Sequence, residues 1–185
     1  MKQPALDQIV KKAESIPLSG ADVHQITRQT CNVLAYEQLQ RYDNIDDVLG
    51  KHGAAVILYQ LESNFGHWVS LFKLNSNTLY FFDSYGIQLD EELKFSSFNT
   101  RQHRGKAVPH LSHLISKSHY RLILNKTKFQ QFKHDVNTCG RYAAHRILHR
   151  RMPEKAYKAL LLDNDHYNAD FWISILTIPS LDLIE

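Results

Sequence analysis

The sequence predicts an α+β domain, in which a mostly antiparallel mixed sheet packs against a helix that carries a cysteine at its N-terminus. Three observations predict this class. A continuous apolar run at 54–59 and the two segments after it are rich in strand-forming residues. Apolar residues recur at helical spacing near both ends of the chain, which predicts further flanking helices. Small residues after Cys139 favour a close approach of that helix to the sheet.

Length predicts a single unit. A chain of 185 residues can bury a sizeable core without metals or disulfides. We expect one domain over 1–185, with an N-terminal helical part at 1–50, a core at 51–152 and C-terminal helices at 153–185. No internal repeat or low-complexity linker divides it.

The small number of cysteines indicates the cellular compartment of the protein. Cys31 and Cys139 are the only two cysteines, too few for a disulfide framework or a zinc site made of thiolates. The first residues do not resemble a signal peptide, and no apolar run approaches the roughly 20 residues of a membrane-spanning helix. We therefore expect an intracellular protein with no membrane partner. Cys31 has no basic neighbour in sequence except Arg28, so we interpret it as a buried core thiol.

The first part of the chain is predicted to be helical. A lysine-rich stretch at 5–16 has apolar residues at helical spacing, which is typical of a surface helix. Pro17 and Gly20 end it, and a short helix at 21–27 follows with Ser19 as its N-cap. The apolar positions of the first helix are Leu6, Ile9, Val10 and Ala13.

The segments at 67–74 and 78–83 predict a β-hairpin, because strand-forming residues flank the turn sequence Asn75-Ser76-Asn77. With a three-residue loop, Leu74 faces Thr78, and this pair sets the register of the whole hairpin.

Counting outward from that pair places His67 opposite Tyr85. Asp83 then lies on the same face as His67, as a diagonal neighbour at about 7–8 Å. A loop longer or shorter by one residue would put the two side chains on opposite faces. The predicted contact between His67 and Asp83 therefore depends on the hairpin register.

Cys139 is predicted to lie in the first turn of a helix, with Asn137 or Thr138 as the N-cap. The positive end of the helix favours a thiolate there, and a thiolate is a nucleophile near neutral pH. The alternative is that Cys139 is a small core hydrophobe, as most free cysteines are. The helix is predicted to be amphipathic, with Gly140, Ala143, Ala144, Ile147 and Leu148 on the buried face and Arg141, His145 and Arg150 on the other.

An imidazole beside a carboxylate is what a cysteine nucleophile needs. The histidine accepts the thiol proton, and the acid fixes its tautomer and stabilises the imidazolium. Only the combination of His67, Asp83 and Cys139 indicates a catalytic site, because each of them alone is more often an ordinary strand, turn or core residue.

Three short motifs, in this order and at these separations, resemble the adenovirus-protease and SUMO-protease superfamily of cysteine peptidases (clan CE). The resemblance spans roughly 19–152 and is nearest to maturation proteases of large DNA viruses, virophages and virus-like transposons. The motifs are Gly66-His67-Trp68, Phe82-Asp83-Ser84-Tyr85-Gly86 and Asn137-Thr138-Cys139-Gly140.

The resemblance implies a thiol peptidase with His67 as base, Asp83 as its orienting acid and Cys139 as nucleophile. It places Trp68 near the site, in contact with substrate. It also implies a glutamine before the cysteine, whose amide stabilises the oxyanion of the tetrahedral intermediate. Gln131 is the first choice and Gln130 the alternative; both lie slightly farther from the cysteine than in the family, so one or two residues must loop out within 133–136.

The remaining segments complete the predicted fold. A short helix at 108–116 and a strand at 120–124 lie between the second and third motifs. Pro153 ends the cysteine helix, and two helices at 154–162 and 169–178 are expected to pack outside the core.

The functions open to such a chain follow from the motifs and the charge. The preferred function is a cysteine endopeptidase whose protein substrates are viral precursors, acting in the host cytoplasm or the virion. The alternative is a protease or isopeptidase for ubiquitin-like conjugates. A third, non-enzymatic function is weak nucleic-acid binding through basic patches at 101–106 and 145–151, although a net charge of +3 favours ordinary solvated faces.

No metal or other cofactor is expected. Histidines occur close together at two places, but no H-E-x-x-H pattern or thiolate cluster accompanies them. We interpret them as surface residues: His110, His113 and His119 in one group, His145 and His149 in the other.

Overall fold

The computed structural model describes residues 3–62, 65–95, 108–163 and 166–178. The basic stretch at 101–106 lies outside these ranges. The α-helices are α1 (Gln3–Ser15), α2 (Gly20–Ile26), α3 (Ile45–Leu49), α4 (His110–Ser116), α5 (Cys139–Leu148), α6 (Glu154–Leu162) and α7 (Ala169–Thr177). Among the described residues, 3-10 helices cover Tyr36–Arg41, Gly50–His52 and Glu91–Phe95. No helix in the described part of the chain is long and apolar enough to cross a membrane.

In the part of the chain that the structure describes, five strands form one mixed sheet in the order β1-β2-β3-β4-β5. The central pairs β2–β3 and β3–β4 are antiparallel, whereas β1 pairs with β2, and β5 with β4, in parallel. The predicted α+β class is confirmed. The segment 1–50 is more than helical, however, because it supplies the edge strand β1. The strands are β1 (Asn32–Ala35), β2 (Ala54–Glu62), β3 (Phe65–Asn75), β4 (Thr78–Phe82) and β5 (Arg121–Leu124).

Helices cover both faces of the sheet, because side chains alternate between the faces along each strand and both sets are apolar. On one face Trp68 and Phe72 pack with Tyr142 and Ala143 of α5. On the other face the neighbouring strand residues pack with helices α3 and α4. Helix α1 lies farther out and packs against α7. Helix α5 is therefore in the middle of one layer, between the sheet and α7.

The hairpin has the predicted register but a different turn. Ser70 pairs with Phe82 and Phe72 with Tyr80, as counting outward from Leu74 and Thr78 requires. Leu74 itself does not pair with Thr78: Asn75 does, and the ladder shifts by one residue between Lys73 and Asn75. The predicted three-residue loop is thus wrong, and a bulge at Leu74 restores the same register beyond a two-residue turn.

Helix α5 is buried on all sides, so the amphipathic helix of the sequence prediction is wrong. Arg141 is fully buried and donates to the Thr177 hydroxyl at 2.9 Å and to the Ala13 carbonyl at 3.0 Å. Burial lowers the pKa of Arg141 to about 10. Arg146 is also buried and donates to the carbonyls of His149 and Met152 just past the end of the helix. These guanidinium groups stay inside because their terminal nitrogens donate to a hydroxyl and to main-chain carbonyls, although neither Nε has a hydrogen-bond partner in the described part of the chain.

Arg146 also lies against three aromatic rings. Its guanidinium carbon is 5.3 Å, 5.1 Å and 4.7 Å from the ring centroids of Phe72, Tyr80 and Tyr157. A guanidinium is weakly hydrated and stacks well on aromatic faces, which makes this burial tolerable. Arg146 is therefore part of the core and does not belong to the exposed basic patch predicted at 145–151.

Candidate active site

His67 and Asp83 meet at one end of the hairpin. His67 lies near the start of β3 and is 5% exposed, and Asp83 directly follows β4 and is fully buried. The imidazole Nε2 is 2.8 Å from the carboxylate Oδ2. The predicted diagonal contact is therefore present, because the bulge preserves the register that puts both residues on one face.

The backbone of Asp83 is held as firmly as its side chain. Its second carboxylate oxygen, Oδ1, accepts from the amides of Tyr85 at 2.6 Å and Ile87 at 3.4 Å. Its own N–H donates to Asn125 Oδ1 at 2.7 Å, and its carbonyl accepts from Asn125 Nδ2 at 2.8 Å. Asp83 thus stabilises the turn and contacts His67 with different oxygens. Asn125 was not identified from the sequence, because its role depends on β5 lying beside β4.

The charge of His67 is set by opposing effects. Burial by itself lowers the pKa of His67, because the imidazolium loses hydration. The charge and hydrogen bond of Asp83 raise it, and so does a side-chain hydrogen bond with Cys139, so the pKa of His67 lies well above its usual value. Since Nε2 contacts Asp83, Nδ1 is the ring nitrogen that remains for the thiol.

Cys139 is the first residue of α5 and is partly exposed. The structure therefore brings together His67, Asp83 and Cys139, from two strand ends and one helix N-terminus. The other thiol, Cys31, is 3% exposed, and burial raises its pKa. This fits the core position predicted for Cys31.

The residues predicted to cap α5 bind elsewhere. Thr138 is the N-cap residue but forms no side-chain hydrogen bond to the helix. Its hydroxyl instead donates to Asp170 Oδ1 at 2.6 Å, and Asn137 Nδ2 donates to the Ser15 carbonyl at 2.8 Å. The predicted N-cap position is confirmed at Thr138, but the predicted capping hydrogen bond is absent, because α7 and α1 supply acceptors that the local sequence does not reveal. Neither side chain therefore occupies the first-turn amides beside Cys139.

The two glutamines have different environments. Gln130 is 1% exposed; its Oε1 accepts from Ser84 Oγ at 2.7 Å and its Nε2 donates to the Val136 carbonyl at 3.1 Å. Gln131 is partly buried, and its backbone N–H donates to Asp170 Oδ2 at 2.9 Å. Within the described residues, the side-chain amide of Gln131 forms no hydrogen bond, so its donors are available. A turn lies at 133–136, between the glutamines and Cys139, where the Val136 N–H donates to the Lys133 carbonyl at 3.3 Å.

Trp68 packs over the first turn of α5. It is 6% exposed, and its Nε1 donates to the Leu18 carbonyl at 3.1 Å. A Cβ at Gly140 would lie 3.0 Å from both Leu18 and Trp68, which is tighter than ordinary contact. The small residue after Cys139 therefore lets the helix approach Trp68 closely.

An aromatic stack leads from the imidazole to the surface, which the sequence prediction missed as a part of the site. Tyr85 stacks on His67 with ring centroids 4.9 Å apart, and Phe132 lies on Tyr85 at 4.5 Å. Phe132 is 68% exposed although it is large and apolar. The hairpin count had already put Tyr85 opposite His67; nothing local indicated Phe132.

The described histidines do not form a metal centre. Within the described ranges, no group of three or more His, Cys, Asp or Glu side chains could hold a metal ion. His145 is buried, not a surface residue as predicted; its Nδ1 lies 3.2 Å from the Tyr157 hydroxyl, and burial lowers its pKa to about 3. His149 stacks on it at 4.1 Å.

Fold and site together define an α+β protein in which one histidine, His67, is hydrogen-bonded to an aspartate and to a cysteine. No family model matches the chain. The uncharacterized protein V9 of Sputnik virophage is 34% identical over 172 residues, which cover 91% of this chain and 98% of V9. The chain belongs to the family of this virophage protein.

Solved structures with some similarity are those of the SUMO protease Ulp1. The form whose catalytic cysteine is oxidized to a sulfonic acid has a TM-score of 0.45 and 16% identity, with coverage of 98% of this chain and 95% of that one. The sulfinic acid form has a TM-score of 0.42 and 16% identity, with coverage of 97% and 96%. The C-terminal Ulp1 protease domain in complex with Smt3, the yeast ortholog of SUMO, has a TM-score of 0.40 and 14% identity, with coverage of 97% and 96%.

Proposed function

We propose that this protein is a cysteine endopeptidase that processes viral precursor proteins during virion maturation. One observation carries the proposal: Asp83, His67 and Cys139 are connected by hydrogen bonds, with the carboxylate and imidazole buried and the thiol partly exposed. If His67 had only a structural role, it would not need a thiol as a hydrogen-bond partner. If Cys139 were only a core residue, it would not need an imidazolium beside it. The arrangement is what acyl transfer to a cysteine requires.

Each residue has a role in that reaction. The Cys139 sulfur attacks the scissile carbonyl, and His67 holds the thiol proton and later gives it to the leaving amine. Asp83 keeps the imidazole in one orientation and stabilises its cation. Water, activated by the same histidine, then hydrolyses the thioester and frees the enzyme. Trp68 and the ring of Tyr85 shield the reacting groups from bulk water.

The oxyanion of the tetrahedral intermediate needs preorganised donors. We assign this role to the backbone at Cys139 and the side-chain amide of Gln131. The burial of Gln130 supports this choice, because both ends of its amide are engaged with Ser84 and Val136. Gln130 remains the alternative donor, through its second amide hydrogen.

The viral setting is supported by the motif resemblance to viral maturation proteases and by the virophage relative. We therefore place the protein in the host cytoplasm or the virion, with precursor proteins as substrates. A protease or isopeptidase for ubiquitin-like conjugates would use the same chemistry and is separated by its substrate. Nucleic-acid binding is less well supported, because two residues of the basic patch at 145–151, His145 and Arg146, are buried.

A cleavage assay tests the proposal. Purified protein and the Cys139→Ala variant are incubated with virion precursor proteins and, separately, with fusions of ubiquitin-like modifiers. We expect cleavage of a precursor by the wild type and none by the variant. Cleavage confined to the modifier fusions would replace the viral function by the isopeptidase one, and equal results for both proteins would refute a cysteine peptidase.

A further inference from the structure

One carboxylate of helix α7, that of Asp170, forms hydrogen bonds with residues of the candidate site. Asp170 lies in the first turn of α7, where Asn168 is the N-cap, and it is 1% exposed. Its Oδ2 accepts from the backbone N–H of Gln131 at 2.9 Å, and its Oδ1 accepts from the hydroxyl of Thr138 at 2.6 Å. One side chain therefore binds two segments that are separated along the chain.

Those two segments are the two arms of the proposed oxyanion site. Gln131 carries the proposed amide donor, and Thr138 directly precedes Cys139, whose backbone supplies the other donor. The chain between them, 132–137, contains no helix or strand. Main-chain hydrogen bonds anchor each arm to another segment, Gln130 N–H to the Ser84 carbonyl and Asn137 N–H to the Glu14 carbonyl, but no main-chain ladder joins the arms to each other. The bonds that join them come from side chains, among them those to Asp170.

An acid is an unfavourable choice for packing at this position. Burial raises the pKa of Asp170, and the hydrogen bonds from Thr138, the Gln131 backbone and Tyr142 oppose that rise. No lysine, arginine or histidine forms a salt bridge with Asp170 in the part of the chain that the structure describes. A buried carboxylate without an ionic partner is tolerated only where its hydrogen bonds matter, because an apolar residue would pack at lower free energy.

We propose that Asp170 is a positioning residue, which holds the Gln131 loop at a defined distance from Cys139 and so aligns the two oxyanion donors. This inference rests on the proposed function of the site. Asp170 touches neither the thiol nor the imidazole in this arrangement, so it acts on the oxyanion and leaves the reactivity of the thiol unchanged.

Two small reagents separate these effects without a known substrate. With iodoacetamide, the sulfur of Cys139 displaces iodide from carbon and no oxyanion forms. With p-nitrophenyl acetate, the sulfur adds to the ester carbonyl, an oxyanion forms, p-nitrophenolate leaves and a thioester remains. The ratio of the acetylation rate to the alkylation rate, measured at Cys139 by mass spectrometry, therefore reports the oxyanion site.

In Asp170→Ala we expect this ratio to fall about tenfold or more, because a misplacement of about 1 Å can already reduce a rate a hundredfold. The alkylation rate should stay near that of the wild type. Asp170→Asn should restore most of the ratio, since its oxygen can still accept from the Gln131 N–H and its amide can donate to the Thr138 hydroxyl.

A matched control is Thr177→Ala in the same helix. Thr177 is buried and accepts from Arg141, but it lies two turns farther along α7 and contacts neither arm. Its removal should lower the melting temperature without changing the ratio. If Asp170→Ala does not fold, Thr138→Val removes one of the two hydrogen bonds at nearly constant shape and must lower the ratio.

Two results would overturn the inference: an unchanged ratio in the Asp170→Ala or Thr138→Val protein, or equal losses in both reactions, which mean general disruption. A wild type in which iodoacetamide reacts no faster with Cys139 than with Cys31 is a different failure. It would refute the proposed function, and the positioning role would fall with it.

Discussion

Cys139 lies between two regions that are built in different ways. We call His67, Asp83 and Asn125 the strand side, and Gln130, Gln131, Thr138 and Asp170 the loop side. On the strand side, His67 and Asp83 belong to or directly follow neighbouring strands, so a ladder of main-chain hydrogen bonds sets their positions. On the loop side, individual hydrogen bonds of buried polar side chains, together with isolated main-chain bonds such as Gln130 N–H to the Ser84 carbonyl, hold an irregular segment.

The strand side and the loop side differ in what fixes the positions of their side chains. A strand pair can hold two side chains at hydrogen-bond distance as soon as its register is right, and a register error moves them to opposite faces. A loop needs a partner for each polar group, and those partners come from distant parts of the chain. We therefore expect the strand side to tolerate changes in its surroundings and the loop side to depend on each individual polar contact.

The largest effect is expected on the strand side. Asp83→Asn should lower kcat on a precursor substrate by on the order of 10³ to 10⁴-fold, because the imidazolium loses its carboxylate and the wrong tautomer is favoured. The pKa of His67 should fall with it, since the charge of Asp83 is what raises that pKa against burial. Turnover and the pH dependence of Cys139 alkylation check this.

Asp90→Asn is the control for that variant. Asp90 is also a buried acid with two hydrogen bonds, from the Tyr59 hydroxyl at 2.7 Å and the Ser112 N–H at 2.8 Å, but it contacts none of the three site residues. The kcat of the Asp90→Asn protein should stay close to that of the wild type. An Asp83→Asn protein that melts earlier but alkylates like the wild type would remove Asp83 from the site.

The next effect separates the two glutamines on the loop side. Gln131→Ala should lower kcat by on the order of a hundredfold with little change in KM, because an oxyanion donor acts only in the transition state. Gln130→Ala should instead lower stability by about 1–3 kcal/mol, because it leaves Ser84 and the Val136 carbonyl without their partner. Steady-state kinetics and urea denaturation of both variants measure this contrast. A reversed result would make Gln130 the oxyanion donor.

A smaller effect concerns the two thiols. At neutral pH, iodoacetamide should label Cys139 at least about tenfold faster than Cys31, because Cys31 is buried and burial keeps it protonated. Peptide mapping after short exposure measures the ratio, and Cys139→Ala provides the rate for Cys31 alone. Preferential labelling of Cys31 in the folded protein would be incompatible with the assigned nucleophile.

The smallest effect is a pH dependence of stability. The folded-state pKa of His67 is raised, so its ion pair with Asp83 contributes fully below the ordinary histidine pKa of about 6.5. The contribution is lost as the pH rises through the raised value. The stability difference between wild type and His67→Gln, from urea denaturation, should therefore shrink as the pH rises. A difference that grows with pH would contradict the raised pKa of His67.

The sequence was informative where local pattern and chemistry coincide. The helix at 154–162 and the Ser19 cap occur as predicted, since helix ends carry their own signals in the chain. The register of the hairpin also followed from counting, although the turn did not. The reason is that alternation along both strands constrains the register more strongly than the few residues of the turn do.

The sequence was misleading for helix α5. Its basic residues follow a spacing that indicates a solvated face, yet Arg141, His145 and Arg146 are buried. Their partners lie in other elements, such as Ala13, Thr177 and the rings around Arg146. The spacing of polar residues shows which face of a helix is polar, but it does not show whether that face is exposed. Long polar side chains can reach hydrogen-bond partners inside the protein.

The α+β class and the contact of His67 with Asp83 could be predicted from the sequence alone, since both depend on periodicity, register and side-chain chemistry along short stretches. The groups that surround these two residues became known only from the folded chain. Asn125 brackets Asp83, Thr138 turns to Asp170 and not to its own helix, and Ser84 binds Gln130. Each of these contacts joins residues at least 32 positions apart, and a hydrogen bond between such residues leaves no local signal.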